Sequence, residues 1–453
     1  MRDSWCMPLN IAIIGSGPAG FYTADALIKA LPECRIDFIE RLPTPFGLIR
    51  GGVAPDHQTT KRVTQKYEKT AMMDQVNFYG NVEIGRDVSL MELRKMYDAV
   101  VLAIGAPSDK KLTIPGADKI GVHGSAAFVG WYNGHPDFRD LEPNLNTSTA
   151  VVVGNGNVAV DVARVLLRSA RGMAEADLPN HVAEVIHAAP IIDVHLVGRR
   201  GPADAKFTNV ELREMGNLNM SSPHVKADQM PDDFDAVLAH YEGRDHRLRR
   251  RNLETLVEFS TSSNKSKPKS VHFEFFASPV EILGGDRVEA IRFERTIIEC
   301  GKIINTGEFF DIDCGLVIPS IGYRSEPIEG APFDEKWGSI PNDNGRIDSG
   351  LYAVGWIKRG SCGVISSNRP DGVIVAEYIA EDIIPDPKKM GRNDLEGILK
   401  DRYLRWIGYS DWKKLEAMEI AAANGSAPRE KFVTVEEMIA ALDEAPVNEQ
   451  CVQ

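Results

Sequence analysis

Two glycine turns of one design, about 140 residues apart, constrain this chain more than any other feature. The first is Gly15-Ser16-Gly17-Pro18-Ala19-Gly20, placed directly after the apolar run Ile11 to Ile14 and directly before a helical pattern from Phe21 to Leu31. A short, continuous apolar run reads as a strand buried on both faces of a parallel sheet. Each glycine then has a mechanical task. Gly15 makes the tight turn, Gly17 lets the backbone approach a pyrophosphate, and Gly20 lets the helix pack closely on the strand. The helix start offers free N–H groups and partial positive charge to a diphosphate. A second apolar strand, Arg35 to Ile39, ends on Glu40, twenty residues past Gly20. A carboxylate there bonds a ribose 2′-hydroxyl and repels a 2′-phosphate.

The second turn, Gly154-Asn155-Gly156-Asn157-Val158-Ala159, follows the run Thr149 to Val153 and opens a helix through Arg171. Ala159 stands in for the third glycine, a change of one methyl within the accepted pattern. The ribose-reading strand of this unit, Ile191 to Val197, ends in Gly198-Arg199-Arg200-Gly201-Pro202, with two arginines and no acid. Guanidinium groups pair with phosphate oxygens bidentately and stay charged, so this unit is expected to take NADP rather than NAD. Two such units in one chain predict an α/β protein with two Rossmann-like dinucleotide-binding domains.

Buried strands at Asp98 to Ile104 and Asp313 to Ile321 close the two units, and Leu351 to Trp356 repeats the pattern a third time. The chain is therefore expected to return to its first domain, giving boundaries of 1–105 and 325–453 for one domain and 106–324 for the other. Between these landmarks, Leu42 to His57 reads as a long ordered loop and Lys61 to Met73 as a helix. Val82 to Gly85 reads as a short strand, and Val271 to Phe276 and Ala290 to Phe293 as antiparallel strands. A Ser/Lys-rich loop is expected near Ser260 to Ser270, and a helical tail beyond Asp394 that frays at its end.

The net charge of −13 over 453 residues argues against nucleic acid as a general partner. No apolar run approaches the roughly 20 residues needed to span a bilayer. The first strand begins within ten residues, so no targeting peptide is expected and the cytoplasm is the expected setting. Six cysteines (Cys6, Cys34, Cys300, Cys314, Cys362, Cys451) include no C-x-x-C, so neither a redox dithiol nor a metal or iron–sulfur site is expected. Against the acidic background, Arg244, Arg247, Arg249, Arg250 and Arg251 reverse the sign locally.

Several stretches resemble the adrenodoxin reductase family of NADPH–ferredoxin reductases. They are GSGPAGFYTA (Gly15–Ala24), PFGLIRGGVAPDH (Pro45–His57), FVGWYNGHPDF (Phe128–Phe138), VVVGNGNVAVDVARVL (Val151–Leu166), RRGP (Arg199–Pro202), ELREM (Glu211–Met215), GWIKRG (Gly355–Gly360) and SDWKKLEAMEIA (Ser410–Ala421). The resemblance implies a fold similar to glutathione reductase, with non-covalent FAD in the first domain and NADP(H) in the second. It implies that Ala19, Glu40, Leu48 and Ile84 hold FAD, beside the glycines Gly15, Gly17 and Gly20. Trp356, Gly363, Val364 and Ile365 would then sit against the flavin ring. It assigns Asn155, Gly156, Asn157, Val158, Arg199, Arg200 and Glu211 to NADP(H), and His57, Asp161 and Glu214 to catalysis at the flavin–nicotinamide junction. It also implies docking of an acidic ferredoxin on Arg244, Arg247 and Arg250. Ser361, Cys362 and the run Ser366 to Gly372 depart from the family's usual residues, which bears on flavin tuning. Glu211 and Glu214 are three apart, so they share a helix face.

On this reading hydride passes from NADPH to flavin, then single electrons to a separate iron–sulfur protein. A flavin monooxygenase or NADPH oxidase-like enzyme shares the double turn, as does a non-catalytic NADP-sensing flavoprotein. The sequence leaves the oligomeric state open.

Overall fold

The computed structural model describes residues 7–261 and 267–444. Cys6, Cys451, part of the expected Ser/Lys-rich loop and the end of the tail that was expected to fray lie outside them. The first sheet has six strands in the order Arg346–Asp348, Leu351–Ala353, Ala99–Leu102, Asn10–Ile14, Arg35–Glu40, Val76–Gly80. All neighbours run parallel except the outermost pair, Arg346–Asp348 with Leu351–Ala353. The third apolar strand thus does return to the first sheet, in register Leu351↔Val100.

Both faces of this sheet are covered, which is why its central strands are almost wholly apolar. Ile11, Ile13, Ile36 and Phe38 pack under the helices Pro18–Ala30 and Asn368–Asp382 through Phe21, Leu27, Val375 and Ile379. Ala12, Ile14, Val100 and Leu102 face the other way, onto Leu93, Leu395 and Leu399. The helix Tyr409–Ala421 closes the first face: Trp412 meets Phe46 edge-on at 6.1 Å, with the Arg50 guanidinium over its ring.

The second sheet is wholly parallel, in the order Leu316–Pro319, Thr149–Val153, Asp193–Val197, Lys269–Glu274, Ser221–Val225. An antiparallel sheet of Ala277–Leu283, Ala290–Glu299 and Lys302–Asp313 covers part of one face through Ile282, Ile291 and Phe293. Between the two large sheets the chain crosses twice. The crossings, Ser108–Asp109 and Tyr323–Arg324, run side by side as a two-stranded antiparallel ribbon.

Three local expectations are corrected. Val82 to Gly85 forms no strand beyond an isolated Ile84↔Val88 bridge; the sheet's edge strand is Val76–Gly80, which carries Phe78 and Tyr79 into the core. The helix over Lys61 to Met73 breaks into Gln58–Lys61 and Thr64–Ala71. Val271 to Phe276 belongs to the second parallel sheet, because Val271 and Phe273 are buried against its helices; the antiparallel partners of Ala290–Glu299 come from either side of it. Among the described residues, no helix is long and apolar enough to cross a membrane.

A buried ionic seam stitches the loop of the first unit and the C-terminal segment to the second unit. Asp177 accepts from Lys61 Nζ at 2.6 Å and lies 3.2 Å from Lys431 Nζ. Lys431 also donates to the carbonyls of Asn133 and Arg50. Arg50 pairs with the fully buried Glu419. Burial lowers the proton affinity of Lys431 to about 7, and Asp177 only partly offsets this. An unfolded lysine titrates near 10.4, so the unfolded chain binds more protons between these values and stability rises with pH there. Urea-unfolding midpoints of the flavin-loaded protein should therefore rise from pH 7 to 9. Lys431→Met should flatten that rise, and an undiminished rise in the variant would assign it to other groups.

Candidate functional site

Both helices that open on a glycine turn start uncapped. Gly17 and Gly156 precede Pro18–Ala30 and Asn157–Leu167; neither start has a side-chain cap or an acid in its first turn. Ordinary helix starts satisfy these N–H groups with a Ser, Thr, Asp or Asn oxygen. Here they are left for an acceptor from outside the chain. Space is reserved as well. Gly15 sits at φ 98°, and a Cβ on it would lie 2.7 Å from the Ala103 carbonyl oxygen. Gly154 sits at φ 147°, and a Cβ there would meet the Ser320 carbonyl oxygen at 2.2 Å, whereas a Cβ on Gly156 would meet only open space. Gly20 packs against the Gly15 carbonyl.

Glu40 closes the first cradle. Its Oε2 accepts from Ser16 N at 2.9 Å and Ser16 Oγ at 2.8 Å, which holds the acid over the turn. The loop Leu42 to His57 folds onto the same turn: Phe46 N donates to Ser16 O, and Gly47 approaches Gly17 closely. Leu48 heads a single helical turn with its side chain exposed. Gly355, at φ 74°, packs directly against Ala19, since a Cβ on it would lie only 2.6 Å from Ala19 Cβ, and Trp356 follows it. Trp356 Nε1 donates to the Cys362 carbonyl, Gly363 turns at φ 88°, and Val364 is exposed beside half-buried Ile365. Ile84 lies half-buried against the second face of this sheet. Uncapped amides, a carboxylate at the end of the second strand and exposed apolar side chains fit FAD.

In the second cradle, Asn155 Oδ1 is buried with no partner among the described residues, and its side chain leans on Gly198. Asn157 Oδ1 accepts from Thr208 N at 2.7 Å, which ties the turn to the segment leading into helix Asn209–Gly216; Val158 packs on the second core. Arg199 is exposed, and its guanidinium has no partner among the described residues. Arg200 is half-buried, 3.8 Å from Asp204 and donating to the Gly301 carbonyl. The orphaned oxygen, open turn and free guanidinium fit NADP(H).

The expected junction residues do converge. His57 Nε2 lies 3.1 Å from Glu214 Oε2 and 3.4 Å from Glu211 Oε2. Ligating atoms of His57, Asp161 and Glu211 lie within 4.8 Å of one another. The fully buried Arg164, absent from the expected set, sits among them. Its Nε and Nη2 donate to Asp56 at 2.8 and 3.1 Å, and its Nη1 lies 2.9 Å from Asp161, 3.3 Å from Glu211 and 3.6 Å from Glu214. The Asp161 oxygen is out of line for a hydrogen bond with that nitrogen. Arg168 also pairs with Asp56. An arginine three residues after Asp161, inside the apolar run VAVDVARVLL, was the available signal.

Burial alone would push His57 down. The Glu214 hydrogen bond, with Asp161 and Glu211, outweighs burial and the Arg164 cation, so the imidazole titrates above its ordinary 6.5. The His57 bond lowers Glu214, while burial raises Asp161 and Glu211. Burial would also raise Asp56, yet Arg164 and Arg168 hold it well below the usual carboxylate range.

The arginine run lies on helix Gly243–Thr261. Arg249 is held by Asp245, by the Ala203 carbonyl and over the Tyr241 ring; Arg250 pairs with Asp235 and Glu254. Arg244, Arg247 and Arg251 are exposed and have no side-chain partner among the described residues. The expected docking trio is thus split, with Arg250 occupied.

Two nucleotide cradles, each on a parallel sheet and reaching toward one ionic cluster, define an oxidoreductase of the two-dinucleotide flavoprotein class. Residues 9–201 match the pyridine nucleotide-disulphide oxidoreductase family model. The chain is 41% identical to the NADPH:adrenodoxin oxidoreductase of Arabidopsis thaliana, over 96% of this chain and 95% of that protein. It is 40% identical to the Homo sapiens protein of the same name, over 95% and 91%. A structure of Mycobacterium tuberculosis FprA in complex with NADPH superposes with TM-score 0.90 at 36% identity, covering 96% of this chain and 99% of that one. The chain belongs to the NADPH:adrenodoxin oxidoreductase family.

His57 charge stabilises the site fully below 6.5 and is lost as pH rises through the raised value. In the flavin-loaded protein, the imidazole NMR titration of His57 should have its midpoint above 6.5, and Glu214→Gln should bring it down. An unmoved midpoint would remove Glu214 as the ring's proton-holding partner.

Proposed function

We propose that the chain oxidises NADPH at the second cradle and delivers electrons, by way of FAD at the first, to a separate iron–sulfur protein of the ferredoxin class. The observation that carries this reading is the His57–Glu214 contact, which joins the loop folded on the first uncapped turn to the helix tied to the second. Bound FAD supplies the exchange between two-electron and one-electron chemistry. The start of Pro18–Ala30 binds its diphosphate and Glu40 its ribose, while Leu48, Trp356 and Val364 keep water from the ring. The start of Asn157–Leu167 binds the second diphosphate, with Asn155 beside it. His57, held by Glu214, keeps a proton near neutral pH at the junction, as a positioning and proton-holding group does. The boundaries 1–105, 106–324 and 325–453 accord with the crossing ribbon at Ser108–Asp109 and Tyr323–Arg324. The free thiols of Cys34, Cys300, Cys314 and Cys362 accord with a cytoplasmic setting.

Arg199 is the cation available to a 2′-phosphate, since Arg200 is engaged. Arg199→Ala should lower kcat/KM for NADPH by roughly ten- to a hundredfold, the loss of one charge-assisted hydrogen bond, and leave NADH nearly unchanged. Equal losses with both nucleotides would make the residue structural.

The free face Arg244, Arg247 and Arg251 suits an acidic partner, speeding encounter more than deepening affinity. The Debye length falls from about 10 Å at 0.1 M salt to about 3 Å at 1 M. NADPH-driven ferredoxin reduction should therefore slow steeply over that range while reduction of a small neutral dye persists. Arg247→Glu should reproduce the slowing at low salt, and Arg250→Glu should have the smaller effect. A normal ferredoxin rate in Arg247→Glu moves the docking face elsewhere, and absence of any NADPH-driven reduction overturns the function.

A further inference from the structure

Arg164 and His57 share their acids. Glu211 and Glu214, from helix Asn209–Gly216, touch the His57 ring on one side and the Arg164 Nη1 edge on the other. The opposite edge of the same guanidinium forks onto Asp56, the residue before His57. One buried side chain on helix Asn157–Leu167 therefore grips both the loop that carries the histidine and the helix that carries its carboxylates. The helix is also the one whose first turn opens the second cradle.

We propose that Arg164 is a positioning residue for the reaction: its fork to Asp56 and its contacts to Glu211 and Glu214 set the placement of His57 relative to the second nucleotide cradle. The inference rests on the function proposed above.

Three observations separate this from a simple brace. Arg168 already neutralises Asp56, so charge balance at Asp56 alone does not require Arg164. Second, a buried guanidinium is costly unless its donors are satisfied, and here Nη1 is aimed at the two acids that face His57 rather than into the apolar core. Third, a cleft of about 300 Å³ lined by Asp56, His57, Arg164, Arg168 and Glu214 opens beside the cluster, so the ring has a hydrated side. The two domains meet here through side chains. A relative rotation would strain the Asp56 fork and the His57–Glu214 contact together. The same cation opposes protonation of His57. Lysine keeps that charge but has no planar fork.

The test uses the full, FAD-loaded chain with Arg164→Lys, and with Arg164→Met combined with Asp56→Asn, which removes the buried pair together. Read-outs are the bound-flavin spectrum, NADP+ affinity, the NMR titration of His57, and the rate of flavin reduction on rapid mixing with NADPH. Arg164→Lys should retain the flavin spectrum and slow reduction on the order of ten- to a hundredfold, the scale of a misplacement near 1 Å, with the His57 midpoint little changed. The paired variant should also slow reduction; there the rate is the deciding read-out, because loss of the Arg164 cation raises the His57 midpoint while loss of the Asp56 carboxylate lowers it. Reduction within twofold of wild type in both variants overturns the inference. Loss of flavin and fold in both overturns it too, because Arg164 would then be a structural brace. A wild-type protein whose flavin NADPH does not reduce sinks the proposed function instead.

Discussion

The working parts of this molecule depend on two helix starts that the chain declines to cap. An unsatisfied helix start is normally a liability, since its N–H groups need acceptors and its dipole concentrates positive charge. Here the sequence places glycine where a capping oxygen belongs and keeps acids out of both first turns. Each start must sit at the end of a buried strand, so each needs its own parallel sheet. Glycine is required at these turns because the carbonyls of Ala103 and Ser320, just past the ends of the neighbouring strands, leave no room for a Cβ. Sheet order, strand apolarity and the two closing strands all follow from presenting these amides at a fixed height.

Holding the two sheets in one relation falls to buried charge. Asp56 reaches Arg164 and Arg168, and Lys61 reaches Asp177, so the loop of the first unit is anchored on the second at two places. Lys431 joins the C-terminal segment to both. An apolar interface would be indifferent to small sliding. Charges in low dielectric are not, because a misplaced ion loses its partner without regaining water.

Much of this was legible beforehand. The strand–turn–helix units announced themselves through apolar runs ending on glycine, and the placing of Glu40 and Arg199 at the ends of the next parallel strands followed from the same runs. The edge strand Val76–Gly80 was missed although it carries Val76, Phe78 and Tyr79, while Val82 to Gly85 alternates as a strand would yet pairs only through the isolated Ile84↔Val88 bridge. The strand Lys269–Glu274 reads as half-buried from its polar residues, and only the helices over Val271 and Phe273 show it to be parallel. Arg164 was overlooked for a physical reason: an arginine in a helix is normally solvated, and the acids that bury it come from segments about 50 and 100 residues away. In the arginine run, two members, Arg249 and Arg250, spend their charge on neighbours, a pairing that spacing alone does not reveal.

The paired crossings at Ser108–Asp109 and Tyr323–Arg324 bear on how a protein of this kind tolerates its own length. Residues paired across an antiparallel ribbon have Cα atoms about 5 Å apart, the span of a tight turn. Everything from Lys110 to Gly322, more than two hundred residues, therefore enters and leaves the first unit through a gap one turn could bridge. The closure entropy of so long an excursion is met inside the inserted unit by its own core, not by the host sheet. In terms of chain connectivity alone, the host meets the entire second unit as it would meet a hairpin, and the ionic seam is what couples the two beyond that point.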